Sequence, residues 1–253
     1  MEKIRIIPKL EIKNNNLIKG IQYEGLRVIG NPKDYAKKYY NDGADQIIVT
    51  DIVASLYSRD NLFSTIDKLT SDIFIPITAG GGIKSIEDIR QLLKVGADRV
   101  LLNSFLFKNK DILDSISNIF GAQFLTVMVE AKKIDNNYYC MTNHGRENSG
   151  ILVNKWLDYL STKNFGELAL YSVDNDGLNK GFDRDLLDIL KSKKLNVPVI
   201  YGGGLNNEDN ISRAIKNYEL SGISLSTALH FNKLKIKSIK SYLKNKKFRI
   251  NEF

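Results

Sequence analysis

A glycine motif that recurs at half the length of the chain constrains the fold more than any other sequence feature. Ile75–Gly82 reads IPITAGGG, and Val197–Gly204 reads VPVIYGGG. Each copy precedes an amphipathic segment and then a short apolar run that ends in small polar residues, Asn103-Ser104 in the first half and Ser226-Thr227 in the second. Self-similarity at a fixed period indicates repeated structural units, so we predict two similar halves.

Short β-branched runs alternate with amphipathic segments of helical period along the whole chain, and no Pro-, Gly- or Ser-rich linker separates them. Such alternation is typical of a parallel sheet covered by helices. Eight strand–helix units in about 250 residues fit a closed barrel more simply than an open sheet. We therefore predict an α/β fold, a (β/α)8 TIM barrel with a two-fold half-barrel repeat, as a single domain over residues 1–253. The predicted strands lie near Ile4–Ile12, Gln46–Asp51, Ile75–Thr78, Arg99–Leu102, Phe124–Glu130, Glu167–Ser172, Val197–Tyr201 and Gly222–Ser226. The predicted helices lie around Pro32–Tyr40, Leu62–Leu69, Ile86–Val95, Lys110–Ile119, Val153–Thr162, Arg184–Lys191, Asn210–Asn217 and Leu234–Leu243.

The composition is that of a globular protein with a full apolar core. The chain is 43% hydrophobic and 26% charged, near the average for folded domains. No apolar run approaches the roughly 18 residues that a membrane helix needs, and Met1–Lys3 does not lead into the apolar stretch of a signal peptide. We predict a cytoplasmic protein with no membrane partner.

Few residues could hold a metal or form a disulfide. Cys140 is the single cysteine, which excludes an internal disulfide and a cysteine-rich zinc site, and the histidines are His144 and His230. We therefore predict no metal and no cofactor. The net charge of +8 would suit an anionic partner, but the lysines of Lys233–Lys247 alternate with apolar residues, as on the solvated face of a helix. We predict no nucleic-acid partner.

Each half of the predicted barrel contains the elements of one phosphate-binding site. A glycine triplet between a strand and a helix lets backbone N–H groups approach an oxyanion, and a helix N-terminus favours negative charge. Barrels often bind phosphate after strands seven and eight, and the repeat predicts a second site after strands three and four. The alternative is that each triplet forms a tight turn that needs glycine. Lys19, after strand one, is predicted to neutralise a phosphate, with a surface lysine as the alternative. We call the two predicted phosphate-binding sites cup one and cup two. Cup one consists of Gly81, Gly82, Asn103 and Ser104, and cup two consists of Gly203, Gly204, Ser226 and Thr227.

Two phosphate sites at one barrel mouth predict a ligand that is phosphorylated at both ends, with its reactive middle over the barrel axis. Barrel enzymes carry their catalytic groups at the C-terminal ends of the strands. Acidic residues lie at these ends of strands one, two, five and six, namely Glu11, Asp51, Glu130, Asp174 and Asp176. Carboxylates that converge beside an apolar core can act as a general acid and a general base. The symmetric Glu11 and Glu130 are the predicted catalytic pair, with a helix cap or a salt bridge as the alternative for any one carboxylate.

These motifs together resemble the cyclase subunit of imidazole glycerol phosphate synthase, the HisF-type family. The resemblance runs from strand one to the final helix with almost no gaps. The motifs that carry it are Arg5–Pro8, Lys19-Gly20, Asp51–Ser55, Gly80–Ile83, Gly96–Val100, Phe120–Gln123, Ser172–Gly177 and Gly181–Asp183.

The resemblance implies a reaction. Members of the family add ammonia to a bis-phosphorylated ribulosyl-aminoimidazole carboxamide nucleotide, a step of histidine biosynthesis. The products are imidazole glycerol phosphate and aminoimidazole carboxamide ribotide. The chain is therefore expected to be a lyase-type cyclase, in which Asp51, Asp174, Asp176 and Gly177 contact the substrate. Imine formation, elimination and ring closure need positioned proton donors and acceptors rather than a metal.

The resemblance also implies a partner. In the family a separate glutaminase subunit docks at the N-terminal face of the barrel to form a heterodimer, and its ammonia passes through the barrel interior. Arg5, Arg99 and Glu167 match three places in a ring of charged residues at the ammonia entrance. The uncharged Gln46 occupies the fourth place, and Asp98 matches a contact to the glutaminase.

Four residues depart from the family pattern. Members carry Asp at the positions of Glu11 and Glu130, so each carboxylate here lies one methylene further from the backbone. A displacement of about 1 Å in a catalytic group can cost about a hundredfold in rate. Lys9 and His144 are the other departures. The alternative is therefore a paralogue in acetamidino-sugar biosynthesis that delivers ammonia from a glutaminase to a separate amidotransferase. A phosphate-binding barrel of unrelated chemistry is disfavoured, because no lysine that could form a Schiff base stands out at a strand end.

Overall fold

The computed structural model describes residues 3–52, 60–109 and 111–251, which form a closed β-barrel with helices outside it. The strands are β1 (Arg5–Lys13), β2 (Asn16–Ile21), β3 (Glu24–Gly30), β4 (Ile47–Asp51), β5 (Ile77–Gly80), β6 (Arg99–Leu102), β7 (Leu125–Ile134), β8 (Asn137–Thr142), β9 (Glu147–Leu152), β10 (Glu167–Ser172), β11 (Val199–Gly202) and β12 (Gly222–Leu225). The α-helices are α1 (Pro32–Asn41), α2 (Asp60–Thr70), α3 (Ile86–Lys94), α4 (Ser104–Lys108), α5 (Ile112–Phe120), α6 (Val153–Leu160), α7 (Arg184–Lys191), α8 (Glu208–Tyr218), α9 (Thr227–His230) and α10 (Ile236–Asn245). A 3-10 turn spans Ala122–Phe124.

Eight strands close the barrel in the order β1, β4, β5, β6, β7, β10, β11 and β12, and β12 pairs with β1. All of these pairings are parallel. The strands are apolar and largely buried on both faces, as parallel strands enclosed by helices must be. The predicted (β/α)8 barrel is confirmed, and each predicted barrel strand lies within a few residues of its observed position.

The apolar core has two layers. The larger layer packs the barrel strands against the inner faces of the helices, for example Ile89 and Leu92 of α3. Helix starts are encoded locally, since Ser85 and Asp88 form a reciprocal capping box before α3. The smaller layer fills the barrel interior and consists of Ile7, Ile48, Leu101, Ala169, Tyr171 and Ile200.

Two β-hairpins that the alternation does not predict extend the barrel at its C-terminal face. β2 pairs antiparallel with β1 and then with β3, and β8 pairs in the same way with β7 and β9. The turns Asn14-Asn15 and Asp135-Asn136 have φ values of 48°, 62°, 47° and 63°. Asn and Asp tolerate this left-handed conformation, which two-residue hairpin turns need. The hairpins stand at equivalent places in the two halves, and Lys19 lies in β2 rather than in a loop.

The short helices α4 and α9 also occupy equivalent places, directly after β6 and β12. Neither is among the predicted helices, because each has too few residues to show helical period. Lys110, at the start of a predicted helix, and Val53–Ser55, part of a family motif, lie outside the described residues. No helix within the described ranges is long and apolar enough to cross a membrane.

Candidate active site

Glu11 and Glu130 occupy equivalent places in the two halves, where β1 and β7 leave the barrel and begin to pair with their hairpins. Their exposed fractions are 1% and 0%. Besides burial, the charge of Glu11 raises the pKa of Glu130, so the two carboxyl groups influence each other across the barrel mouth. The structure therefore brings the predicted catalytic pair together inside the molecule.

Glu11 is paired with two ammonium groups. Lys9 Nζ lies 3.0 Å from Glu11 Oε1, and Lys19 donates a hydrogen bond of 2.9 Å to Oε2. Lys19 also donates to Asp176 Oδ2 over 2.6 Å. Burial alone would raise the pKa of Glu11, but Lys19 and Lys9 more than offset this effect and hold the pKa well below its usual range. Glu11 is therefore ionised at neutral pH.

Glu130 has a different environment. Its Oε2 accepts hydrogen bonds from Asn103 Nδ2 at 3.0 Å and from the backbone N–H of Gly145 at 3.2 Å. Its Oε1 has no hydrogen-bond partner among the described residues. Burial raises the pKa of Glu130 to about 7, with Lys9 opposing and Glu11 reinforcing the shift. Two carboxyl groups with separated pKa values can serve as proton donor and proton acceptor at neutral pH.

Cup one borders Glu130 and lines a cavity of about 290 Å³. Gly81 needs to be glycine, because its φ is +108° and a Cβ there would lie 2.1 Å from the backbone oxygen of Asp51. Asn103 begins α4 and connects the cup to Glu130 through its side-chain amide. Its Oδ1 has no hydrogen-bond partner in the described chain and so can accept one from a ligand. The predicted residues that line this cavity are Asp51, Gly81, Gly82, Asn103, Ser104 and Glu130.

Cup two is the counterpart of cup one in the second half of the barrel. Its cavity is smaller, with a volume of about 20 Å³. Gly203 has a φ of +111°, and a Cβ there would lie 2.6 Å from the backbone oxygen of Ser172. Thr227 Oγ1 has no hydrogen-bond partner within the described ranges. The predicted residues that line this cavity are Asp176, Gly177, Gly203, Gly204, Ser226 and Thr227. Lys9 and Tyr171 line it as well.

Two residues that were predicted to contact the ligand, Lys19 and Asp174, line neither cup cavity. Lys19 lines neither cup cavity, and its ammonium group lies between the carboxylates of Glu11 and Asp176. Asp174 accepts a hydrogen bond of 2.7 Å from the backbone N–H of Lys133, on the outer side of the β7–β8 hairpin. The geometry thus associates Lys19 with the acidic pair rather than with a phosphate, and it separates Asp174 from both cups.

The hairpin tips bring two further residues to the acidic pair. Tyr23 and His144 stack with ring centroids 4.2 Å apart, and His144 Nδ1 lies 3.8 Å from Glu130 Oε1. Burial lowers the pKa of His144 to about 3, so this contact is not an ion pair at neutral pH. Sequence reasoning missed Tyr23, although its position at a hairpin turn equivalent to that of His144 could have been found from the repeat.

The predicted ammonia-entrance residues meet at the opposite, N-terminal end of the barrel. Arg5 donates to Gln46 Oε1 over 2.7 Å and forms an ion pair with Glu167. Arg99 Nη1 lies 3.2 Å from the second oxygen of Glu167. Gln46 therefore joins the ring through a hydrogen bond from the Arg5 guanidinium rather than through an ion pair. Asp98 is exposed beside the ring, and its carboxylate accepts a hydrogen bond from the backbone of β5.

The described residues contain no group of three or more His, Cys, Asp or Glu side chains arranged to hold a metal ion. Cys140 is completely buried in the apolar core, and burial raises the pKa of its thiol. Among the described residues, the groups at the barrel mouth include carboxylates, ammonium groups, one neutral imidazole, the Tyr23 hydroxyl and the donors of the two cups.

Comparisons with known proteins relate the chain to one family over almost its whole length. A family model described as "Histidine biosynthesis protein" matches residues 5–235. Imidazole glycerol phosphate synthase subunit HisF of Natranaerobius thermophilus is 34% identical over 242 residues, which cover 96% of this chain and 96% of the relative. HisF of Legionella pneumophila is 43% identical over 206 residues, covering 81% and 97%. HisF of Clostridium botulinum is 36% identical over 252 residues, covering 99% of each chain.

Proposed function

Because the chain belongs to the HisF-type family of histidine biosynthesis proteins, we propose that it is the cyclase subunit of an imidazole glycerol phosphate synthase. It uses ammonia to convert the bis-phosphorylated ribulosyl-aminoimidazole carboxamide nucleotide to imidazole glycerol phosphate and aminoimidazole carboxamide ribotide. All three relatives described above bear the name of this subunit. They favour the cyclase over the paralogue of acetamidino-sugar biosynthesis.

The observation that carries the proposal is the pair of equivalent cups on either side of two buried carboxyl groups. Cup one adjoins Glu130, and cup two adjoins Lys9, the partner of Glu11. Backbone N–H groups near the start of a helix favour anions, so each cup suits one phosphate. A ligand with a phosphate at each end then has its middle beside Glu11 and Glu130.

The two carboxyl groups supply the proton transfers of the reaction. Attack of ammonia on a carbonyl carbon gives an imine only if the nitrogen loses protons and the departing oxygen gains them. Elimination and ring closure also require that some atoms of the substrate lose protons while others gain them. General acid–base catalysis by positioned side chains contributes about 10²–10⁴-fold in rate, and burial of the pair keeps solvent from competing for these protons.

Turnover with ammonium as the nitrogen source tests the proposal. The purified chain, without any glutaminase, is expected to form both products from the bis-phosphorylated nucleotide at neutral to mildly alkaline pH with excess ammonium, a small fraction of which is deprotonated. Chromatographic detection of both products measures the rate, and omission of ammonium is the control. A folded protein that binds the nucleotide and leaves it unchanged would refute the cyclase assignment.

The name "subunit" of the relatives indicates that the chain works with a partner. We propose that this partner is a glutaminase that docks at the N-terminal face, where Arg5, Gln46, Arg99 and Glu167 surround the entrance to the barrel interior. The exposed Asp98 lies beside them and is available for contact. Ammonia released there would enter the barrel at the end opposite to the cups.

Arg99→Met is expected to lower turnover with glutamine as the nitrogen source but not turnover with ammonium. Arg99 is partly exposed, and Glu167 keeps its second partner Arg5, so the fold is retained. Glutamine-dependent turnover with the glutaminase should fall about tenfold, equivalent to about 1.4 kcal/mol, while ammonium-dependent turnover stays within about twofold. Arg90→Met, which removes an exposed arginine paired with Glu87 on α3, is the matched control. An equal loss with both nitrogen sources would contradict the role of Arg99 at the entrance.

A further inference from the structure

Lys9 is a buried lysine in the candidate active site to which the sequence assigns no role. It lies on β1, two residues before Glu11, with 2% of its surface exposed. Removing an ammonium group from water costs several kcal/mol unless close partners compensate. The groups that surround Lys9 therefore indicate the role of its positive charge.

Those partners are two aromatic rings and one carboxylate. Lys9 Nζ lies 4.3 Å from the ring centroid of Tyr171 and 5.0 Å from that of Tyr23, close enough for cation–π attraction. It lies 3.4 Å from the Tyr23 hydroxyl oxygen and 3.0 Å from Glu11 Oε1. Burial would lower the pKa of Lys9, but Tyr23 and Glu11 hold it well above its ordinary value. Lys9 is therefore a fixed positive charge.

Each oxygen of Glu11 lies within about 3 Å of its own ammonium group, whereas no ion pair between Glu130 and a lysine forms among the described residues. Lys9 lies 3.0 Å from Oε1 and Lys19 2.9 Å from Oε2. In the described part of the chain, the basic side chain within 4.0 Å of Glu130 is His144, which is neutral because burial lowers its pKa to about 3. The two carboxyl groups have equivalent places in the fold and opposite electrostatic surroundings.

Charge balance indicates that one carboxyl group keeps a proton, and the distances to the lysines indicate which one. Three carboxyl groups meet here, from Glu11, Glu130 and Asp176, and two ammonium groups, from Lys9 and Lys19. Lys19 contacts Asp176 and Glu11, and Lys9 contacts Glu11. Burying an uncompensated negative charge is costly. The cluster is therefore neutral when the third carboxyl group, that of Glu130, is protonated.

We propose, on the basis of the cyclase reaction proposed above, that Lys9 is a positioning residue that keeps Glu11 ionised as the proton acceptor and thereby leaves Glu130 as the proton donor. When ammonia adds to the carbonyl carbon, Glu130 gives its proton to the carbonyl oxygen and Glu11 takes one from the attacking nitrogen, which leaves a hydroxyl and an amino group on that carbon. The pair loses one proton and gains one, so its total charge does not change during the transfer. Lys9 itself transfers nothing.

The groups that face Glu130 define the pH dependence. They are Lys9 and Glu11 from β1, Asp176 from the loop after β10, and His144 with Tyr23 from the hairpin tips. Glu130 donates only while it is protonated, so kcat should fall as pH rises through about 7, the value to which burial raises the pKa of Glu130. Without the Lys9 charge, which lowers the pKa of Glu130, this fall should move to higher pH.

Infrared titration of the Lys9→Met chain tests the role of Lys9 without relying on turnover. In the unmodified protein, a protonated-carboxyl band should disappear as pH rises through about 7. In Lys9→Met the disappearance should shift upward by about one pH unit or more, and a second carboxyl band, from Glu11, should appear at lower pH. An unchanged titration in Lys9→Met would overturn the proposal.

Lys240→Met is the matched control, because Lys240 is also 2% exposed and forms a buried ion pair of 2.7 Å with Asp45, away from the cups. It should leave the carboxyl titration unchanged. A shift as large as that of Lys9→Met would mean that loss of any buried lysine perturbs the band, and would overturn the specific role of Lys9.

Turnover supplies the second readout. With the concentration of free NH3 held constant across the pH range, Lys9→Met should lower kcat about tenfold or more, within the range of acid–base catalysis, and change KM less than about threefold. An effect confined to KM would overturn the positioning role. If the unmodified protein shows the carboxyl titration but no turnover, the cyclase function fails while the ionisation scheme stands.

Two single variants keep the assignment testable even if Lys9→Met does not fold. The protonated-carboxyl band that titrates near pH 7 in the unmodified protein should be absent from Glu130→Gln at every pH. In Glu11→Gln the band should remain but titrate at lower pH, because the charge of Glu11 raises the pKa of Glu130. The reverse result would overturn the assignment of donor and acceptor.

Discussion

Glu130→Gln should lower kcat of ammonium-dependent turnover by about a hundredfold to ten-thousandfold, the range that a general acid contributes, while KM stays within about threefold. Glutamine has nearly the same shape, and its side-chain oxygen can still accept the hydrogen bonds from Asn103 and Gly145. An amide cannot release a proton to the substrate near neutral pH. Steady-state kinetics with the bis-phosphorylated nucleotide measure both constants.

Glu147→Gln is the control for this effect, because Glu147 is exposed on β9. It should behave like the unmodified protein. A Glu130→Gln protein with near-normal kcat would remove Glu130 from the proton transfers, whatever its pKa. A variant with normal kcat and a greatly raised KM would make Glu130 a binding residue instead.

Gly204→Ala is expected to weaken cup two at the level of the backbone. Gly204 has a φ of +82°, and a Cβ there would lie 2.2 Å from the backbone oxygen of Gly181 and 2.8 Å from Asn175 Cβ. These atoms must move apart, and overpacking of this kind costs about 1–3 kcal/mol. Because the displaced backbone lines the cup, KM for the bis-phosphorylated nucleotide should rise about tenfold or more.

Gly150→Ala is the control for Gly204→Ala, because it has the same conformational cost without the close contacts of the added Cβ. Gly150 has a similar φ of +76°, but a Cβ there would meet nothing within 4 Å. It should show only the conformational cost of a left-handed alanine, about 1–2 kcal/mol, with KM unchanged. Thermal unfolding and steady-state kinetics compare the two variants. Equal KM values would show that cup two does not bind the substrate.

The barrel strands, and the glycine turns that line the two cavities, could be predicted because their signals are local and repeated. Buried parallel strands are apolar throughout, and each half repeats its glycine triplet before the same helix and strand. The hairpins were harder to predict. No residue of β3 or β9 is fully buried, so neither strand shows a clear alternation of buried and exposed residues. Their best signal was the pair of turns Asn14-Asn15 and Asp135-Asn136.

The sequence also led to the carboxyl groups but not to their ionisation. Position in the repeat identified Glu11 and Glu130 as a pair, and nothing in the order of residues distinguished one from the other. Lys19 was expected beside a phosphate, yet the β2 strand carries its ammonium group to Glu11 and Asp176. Asp174 and Asp176 are neighbours in one motif, but Asp176 lines cup two while Asp174 faces the outside of a hairpin.

The barrel, its two-fold repeat and the glycine turns that line the two cavities thus follow from the sequence, because hydrophobic period and glycine backbone freedom are properties of short segments. Only the tertiary structure decided that Glu11 is ionised beside two lysines while Glu130 is poised near neutral pH. The free energy of a buried charge depends on desolvation and on distances of a few ångströms to groups far away in the chain. Folding of the two halves against each other sets those distances, and with them the difference in pKa between the two carboxyl groups.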